Sequence, residues 1–345
     1  MFVRWDNLTL DHERGAALPG FREPATIRTF DAPEALGTRF YEVRARSAIN
    51  AVPKRSRMPF RHTINPYRGC AHACTYCFAC PTHIYLGFDA GRDFGREIVV
   101  KVNVPELVRA ELRRPSWKGE HVALGTNTDP YQWVEGRYEL MPGIWEAMRD
   151  FRNPCSLLTK SSLLLRDLPL FRELVERTEF VASVSVPTLD EKAWRASEPH
   201  TPHPRKRLEA IAELGRAGIP TGVLIAPLMP GINDQPDQVE RILELAGEAG
   251  AGSIVGIGLH LRGEVRRVFM DWLRQYRPDL VSRYERLYAR GAYLPRQESR
   301  RLNALVRDRR PAPKESAGSP RGWRLRRPDE EAPPPRAEPA QPPLF

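Results

Sequence analysis

Four of the five cysteines, Cys70, Cys74, Cys77 and Cys80, fall within eleven residues, while Cys155 stands apart. Thiols spaced this closely suit a metal centre, because disulfide frameworks spread their cysteines along the chain. The C-x3-C-x2-C spacing of the first three lets one short loop bind three irons of a cubane and leave the fourth open. A structural zinc site or an electron-transfer cluster would take four protein ligands instead, with Cys80 as the fourth. Tyr76, directly before the third cysteine, favours the three-ligand arrangement without deciding it. His72 lies inside the loop and His83 just beyond it, and both are further polar candidates. Cys155 reads as a packed apolar thiol.

Such a loop needs a rigid frame, and the chain supplies a repeating one. A short strand over residues 61–70 runs straight into the cysteine loop. Strand-like runs follow at His121–Leu124, Ser156–Thr159, Phe180–Val186, Thr221–Ala226 and Ser253–Leu259. Helix-like runs alternate with them at Pro142–Phe151, Asp167–Arg177, Pro204–Ala217, Asp237–Ala249 and Glu264–Gln275. Strands separated by single helices pair in parallel through right-handed crossovers. With residues 98–102 set aside as part of an excursion after the cysteine loop, six β/α units remain. The expected fold is α/β, a partial (β/α)6 TIM-type barrel with an N-terminal extension and a disordered C-terminal tail. The expected organisation is an extension over 1–60, a core over 61–280, a basic helical segment over 281–310 and the tail over 311–345.

In such folds chemistry gathers at the carboxyl ends of the strands. Those ends carry Gly125–Gln132, Thr159–Ser162, Ser183 and Ser185, Ala226–Asp234 and Leu259–Arg262. Thr188 and Glu198 follow the fourth strand, and Glu198 with Arg195 reads either as a structural ion pair or as a contact to a cofactor.

The 345 residues carry a net charge of +10, unevenly spread. Residues 1–69 hold 12 basic and 7 acidic side chains, and residues 262–310 hold 14 arginines against 6 acids. Residues 70–261 hold 21 basic and 25 acidic side chains. Clustered arginine suits phosphate through its bidentate donors, so a nucleic acid is an expected partner of 262–310. Residues 311–345 contain ten prolines and almost no large aliphatic side chains, a composition that cannot bury a core. No apolar run approaches the roughly 18 residues that span a bilayer. With no apolar leader at the start, the expectation is a cytoplasmic protein without a membrane partner.

The C-x3-C-x2-C loop with its aromatic, placed after the first strand of a (β/α)6 chain, resembles that of radical S-adenosylmethionine enzymes. Four stretches narrow the likeness: Asn65–Cys70, Pro81-Thr82-His83, Gly125–Gln132 and Thr159-Lys160-Ser161. They resemble a bacterial branch related to spore photoproduct lyase, over roughly residues 40–280. The resemblance implies a [4Fe–4S] cluster on Cys70, Cys74 and Cys77, with S-adenosyl-L-methionine on the open iron. Reductive cleavage would give a 5′-deoxyadenosyl radical that abstracts hydrogen from substrate. It further implies that Asn127 and Thr128 approach the methionyl group and that Lys160 meets its carboxylate. Ser185 would bond carboxylate or ribose, while the Ala226 backbone and Tyr76 would lie near the adenine. A one-electron donor of flavodoxin or ferredoxin type is implied as well.

The likeness does not extend to the end of the lyase reaction. In the lyases a thiol in the loop after the second strand returns hydrogen to the product radical. Thr126 stands in that loop here, and its O–H bond is too strong to donate, leaving Tyr131 and Cys80 as the nearest substitutes. The candidate substrates are a damaged or modified nucleobase, an RNA nucleotide or a peptide side chain, in that order. The rival reading is a zinc-binding, nucleic-acid-interacting module that uses Cys70, Cys74, Cys77 and Cys80 without catalysis. It leaves the β/α frame with its polar strand ends idle.

Overall fold

The computed structural model describes residues 12–17 and 24–307, apart from Leu36, Lys54, Arg55 and Arg57. The proline-rich segment 311–345 lies outside the described residues. Strands β1 (His12–Ala17), β2 (Pro24–Arg28) and β3 (Arg39–Val43) come first, then β4 (Ile49–Ala51) and β5 (His62–Ile64). The two-residue β6 (Tyr67–Arg68) enters the cysteine loop, a 3-10 helix covers Cys80–Leu86, and β7 (Glu97–Lys101) follows. Helix α1 (Val104–Leu112), β8 (Val122–Leu124), α2 (Glu135–Tyr138), α3 (Leu140–Asp150) and β9 (Cys155–Thr159) come next. The alternation continues through α4 (Leu168–Arg177), β10 (Phe180–Ser185), α5 (Glu191–Ser197), α6 (Pro204–Arg216) and β11 (Thr221–Leu228). It closes with α7 (Pro236–Glu248), β12 (Ser253–Gly258), α8 (Glu264–Tyr276), α9 (Val281–Leu287) and α10 (Arg296–Arg307).

Strands β5, β8, β9, β10, β11 and β12 lie side by side in sequence order and all pair in parallel. Strand β4 adds an antiparallel edge beside β5, so the sheet ends at β4 and β12. This is the expected open six-unit barrel. Several helices begin with proline in the first turn, as at Pro105, Pro169, Pro204 and Pro236, where the missing N–H costs nothing.

The part read as an irregular extension is different. Strands β2 and β3 pair with each other, and β3 pairs in parallel with β7, the stretch that the sequence reading set aside. Together with β1 and β6 they make a second, five-stranded sheet. Its central pairing joins Arg39 to Glu97, 58 residues apart, and is reinforced by an Arg39–Glu97 ion pair at 2.7 Å. No local periodicity signals a partner that far along the chain.

The two faces of the barrel sheet differ. Val184, Val223, Ile225 and Ile254 point outwards and pack with Ile211, Ile242 and Val306 of the helices. On the inner face small residues alternate with them. Ser183, Gly222 and Ser253 lie in register, and a Cβ on Gly222 would come within 2.8 Å of both serine hydroxyls. One step nearer the carboxyl ends, Ser185, Leu224 and Val255 form the next row. The turn after β8 needs glycine: Gly125 has φ +78°, and a Cβ there would sit 1.8 Å from the Leu158 carbonyl. Outside β12, Gly256 leaves room for Val306 of α10, whose apolar stripe covers the last strand.

Candidate functional site

The cysteine loop is anchored at several points by main-chain bonds. Cys70 N–H donates to Phe94 O at 3.0 Å, and Thr75 N–H to Ser197 O at 3.0 Å. Gln132, fully buried, holds the entry: its Oε1 accepts from Ala71 N–H at 2.8 Å and its Nε2 donates to Gly69 O at 3.2 Å. Ala73 turns the chain in the left-handed region at φ 48°. Between these anchors Cys70 is buried, and Cys74 and Cys77 are half-buried. Burial pushes all three thiols above their ordinary range, and the three interact electrostatically. Backbone N–H groups of His72 and Asp129 point at the Cys70 sulfur, and those of Ala79 and Cys80 at the Cys77 sulfur, favouring thiolate. Such sites bind metal by exchanging thiol protons for it. Among the described residues no three His, Cys, Asp or Glu side chains are already closed around a metal-sized gap.

Facing this loop, the strand ends bring Lys160, Ser185 and Ala226 together beside its Tyr76. Lys160 Nζ donates to Ser185 Oγ at 3.1 Å and stands 5.7 Å from the centre of the Tyr76 ring. Ser185 Oγ donates to Ala226 O at 3.1 Å. Glu198, fully buried, is 3.7 Å from Lys160 Nζ and accepts from the Tyr76 hydroxyl. Its other oxygen pairs with Arg207 at 2.7 Å, and Arg207 also donates to Ser185 O at 2.9 Å. Arg207 and Lys160 overcome burial and hold Glu198 below the usual carboxylate range.

The sequence reading missed Arg207, and it offered Arg195 as the neighbour of Glu198. The structure corrects this: Arg195 bonds Glu191 on the surface of α5. Helical spacing made Arg207 look like one more solvated residue of α6. A second omission is Asp129, whose Oδ1 accepts from Thr159 at 2.6 Å and whose Oδ2 accepts from Lys160 N–H at 2.7 Å. It also faces His72 Nδ1 at 3.4 Å, so the loops after β8 and β9 and the cysteine loop share one carboxylate.

Other candidates lie elsewhere. Thr128 is buried and its hydroxyl donates to Tyr67 O at 3.0 Å, while Asn127 is half-buried beside it. Tyr131 turns away from the inner face into the helical layer, bonding Asp167 at 2.6 Å and Trp145 at 2.7 Å. His83 does not line a substrate side: it sits under the second sheet, its Nε2 bonded to Glu97 O at 2.7 Å. Cys80 packs in the cluster that includes α8, where Cys77, Glu264, Arg267 and Asp89 act on its thiol. Tyr131 is therefore not placed to donate hydrogen at the inner face. Cys155 is buried in the helix-facing core at the amino end of β9.

A thiol-bearing loop after the first strand of an open six-unit barrel defines a class, and the family comparison agrees with it. The Radical SAM superfamily model matches residues 64–246, and the chain belongs to that superfamily. It is therefore a radical S-adenosylmethionine enzyme that uses an iron–sulfur cluster, S-adenosylmethionine and an electron donor. Among its relatives is an uncharacterized protein of Mycobacterium tuberculosis, 46% identical over 310 residues, covering 87% of this chain and 91% of that one. A radical SAM Nalpha-GlyT isomerase of Pseudomonas phage M6 is 26% identical over 192 residues, covering 55% of this chain and 38% of the phage protein. In fold the chain is similar to a spore photoproduct lyase mutant with bound AdoMet and dinucleoside spore photoproduct. The TM-score is 0.56 at 17% identity, over 78% of this chain and 77% of that chain. The donor set fits such a cluster: three thiols share one loop, with backbone N–H groups aimed at two of the sulfurs.

Proposed function

We propose that Cys70, Cys74 and Cys77 hold a [4Fe–4S] cluster and that S-adenosylmethionine lies along Tyr76, Asn127, Thr128, Lys160, Ser185 and Ala226. Reduced by one electron, the bound pair supplies a 5′-deoxyadenosyl radical that takes hydrogen from substrate. The observation that carries this reading is Lys160. Its ammonium has three donors, and among the described residues it makes one hydrogen bond, to Ser185, with Glu198 3.7 Å away, at a half-buried strand end opposite the cysteines. A carboxylate arriving there completes its coordination by a charge-assisted bond. Glu198 and Arg207 fix the lysine and the Ser185 carbonyl from behind, and the Tyr76 ring supplies a flat apolar surface.

The substrate we favour is a nucleic acid base. Val255 and Ile257, 48% and 39% exposed, continue the Ser185–Leu224 row to the open barrel edge as an apolar strip. In the second sheet, Arg68 and Lys101 are neighbouring cations; burial and Arg68 lower Lys101 to about 8, and its ammonium donates to Asn65 O at 2.8 Å. A base against the strip with phosphate towards these cations suits both, and the arginines of 262–307 extend the positive surface.

Anaerobic reconstitution tests the proposal. About four irons and four sulfides per chain are expected, with release of 5′-deoxyadenosine on adding S-adenosylmethionine and dithionite, stimulated by oligonucleotide. One tightly held zinc with no iron, or no cofactor cleavage, overturns it.

A further inference from the structure

The turn after β8 buries a carboxylate that takes no part in holding the cofactor on the reading above. The Asp129 side chain is 8% exposed, and its two oxygens serve different loops. Oδ1 closes the turn itself, accepting from Tyr131 N–H at 2.9 Å, and also accepts from the Thr159 hydroxyl at 2.6 Å. Oδ2 leaves the turn: it accepts from Lys160 N–H at 2.7 Å and stands 3.4 Å from His72 Nδ1. The main-chain N–H of Asp129 points a third way, at the Cys70 sulfur. One residue thus joins its own loop, the end of β9 and the cysteine loop. Its negative charge reaches Cys70 as well, where it comes second only to burial in holding the thiol up.

An asparagine would close the same turn, because Asn and Asp both bond the main chain two residues on. It would fail at the second oxygen. The N–H groups of Tyr131 and Lys160 approach opposite oxygens, so in either orientation one of them would meet the amide NH2, donor against donor. An ionised carboxylate only accepts, and satisfies both. The aspartate is therefore matched to Lys160, whose ammonium bonds Ser185 at 3.1 Å. We propose that Asp129 is a positioning residue with two effects: it sets Lys160 at a fixed separation from the Cys70 end of the cysteine loop, and its charge lowers the reduction potential of a cluster held there. This rests on the placement of cluster and S-adenosylmethionine proposed above. A negative charge beside a cluster opposes the arrival of an electron, which fixes the sign of the second effect. Outer residues that orient the groups gripping a ligand are worth roughly 10- to 100-fold in affinity.

The test compares the cluster-loaded full chain with Asp129→Asn and Asp129→Glu at equal iron content. S-adenosylmethionine affinity is read by equilibrium dialysis and the cluster's midpoint potential by anaerobic redox titration, with Tm recorded for each. Asp129→Asn should bind S-adenosylmethionine about tenfold more weakly and shift the potential upwards. Asp129→Glu keeps the charge on a longer arm, so its affinity should fall while its potential stays close to that of the unaltered protein. A residue that only holds the turn would lower Tm in both variants and move neither affinity nor potential, and that result overturns the proposal. If Asp129→Asn takes up no iron, Thr159→Val decides instead, because it loosens the carboxylate without removing its charge. Its affinity should fall several-fold at unchanged potential, and unchanged affinity overturns the proposal. An unaltered protein that binds no S-adenosylmethionine overturns the cofactor placement and this inference with it. An unaltered protein that binds it no more tightly than Asp129→Asn overturns this inference alone.

Discussion

Two fully buried glutamates, Glu135 and Glu198, sit in networks built from the same residue types. Each pairs with an arginine at 2.7 Å and accepts from a tyrosine hydroxyl. Glu135 lies in the helical layer, where the N–H groups of Leu140 and Met141 complete its coordination. Every strong donor around it has a partner. Glu198 lies at the strand ends, and its network includes an ammonium with one hydrogen bond and room for more. The electrostatics differ too. Arg166 is 24% exposed beside Glu135, while Arg207 is 0% exposed and Lys160 adds a second cation beside Glu198. Burial wins at Glu135, whose carboxyl is raised, and the cations win at Glu198, which is lowered. A saturated network holds the fold; on the proposal above, the one at the strand ends completes itself on S-adenosylmethionine.

The largest effects belong to the thiols. Cys70→Ala, Cys74→Ala or Cys77→Ala should each abolish iron loading, while Cys80→Ala retains it, measured as iron and sulfide per chain. Complete loss in the Cys80 variant would mean a four-thiol site. Next comes Arg207→Met. Removing one partner of a fully buried pair strands the other charge, at a cost of about 3–5 kcal/mol. Urea denaturation should register that loss, and Arg166→Met, at a partly hydrated pair, should lose less. Equal losses would erase the contrast drawn between the two arginines.

Lys160→Met separates ligand binding from folding. The ammonium makes one hydrogen bond and stands 3.7 Å from Glu198, which keeps Arg207 as its close partner, so removing the lysine should cost less stability than Arg207→Met. S-adenosylmethionine affinity should fall roughly 10- to 100-fold, the worth of a bond to a charged group. A large stability loss with unchanged affinity would make the lysine a structural residue like Arg166.

Sequence alone made the six parallel strands readable, because each is a compact run followed by its own helix. The cysteine loop was readable because thiol spacing is a local signal. Lys160, Ser185 and Ala226 could be named because strand ends converge in any parallel barrel. What escaped was non-local. The partners of β3 and Glu198 depend on residues that come together only after folding, and Arg207 has the pattern of a surface helix residue. Tyr131 misled for the opposite reason. It follows a strand end in the chain, but the turn at Asp129 carries its ring outwards into the helices, where Trp145 and Asp167 hold it.

The smallest effect is also the most discriminating, because the two glutamates should respond to pH with opposite signs. Glu198 is lowered in the folded state, so its contribution is present above the ordinary glutamate value and is lost as pH falls through the lowered one. Glu135 is raised, so its carboxylate costs stability at neutral pH, and that cost is relieved as pH falls through the raised value. Denaturation of the unaltered protein, Glu198→Gln and Glu135→Gln between pH 3.5 and 7 gives two difference curves. Relative to Glu198→Gln, the unaltered protein should lose its advantage on acidification. Relative to Glu135→Gln it should gain. Neither slope can exceed about 1.4 kcal/mol per pH unit, the limit for one proton. Curves of the same sign would show that Arg166 ionises Glu135 as fully as Arg207 and Lys160 ionise Glu198, and the two networks would then differ only in the free donors of Lys160.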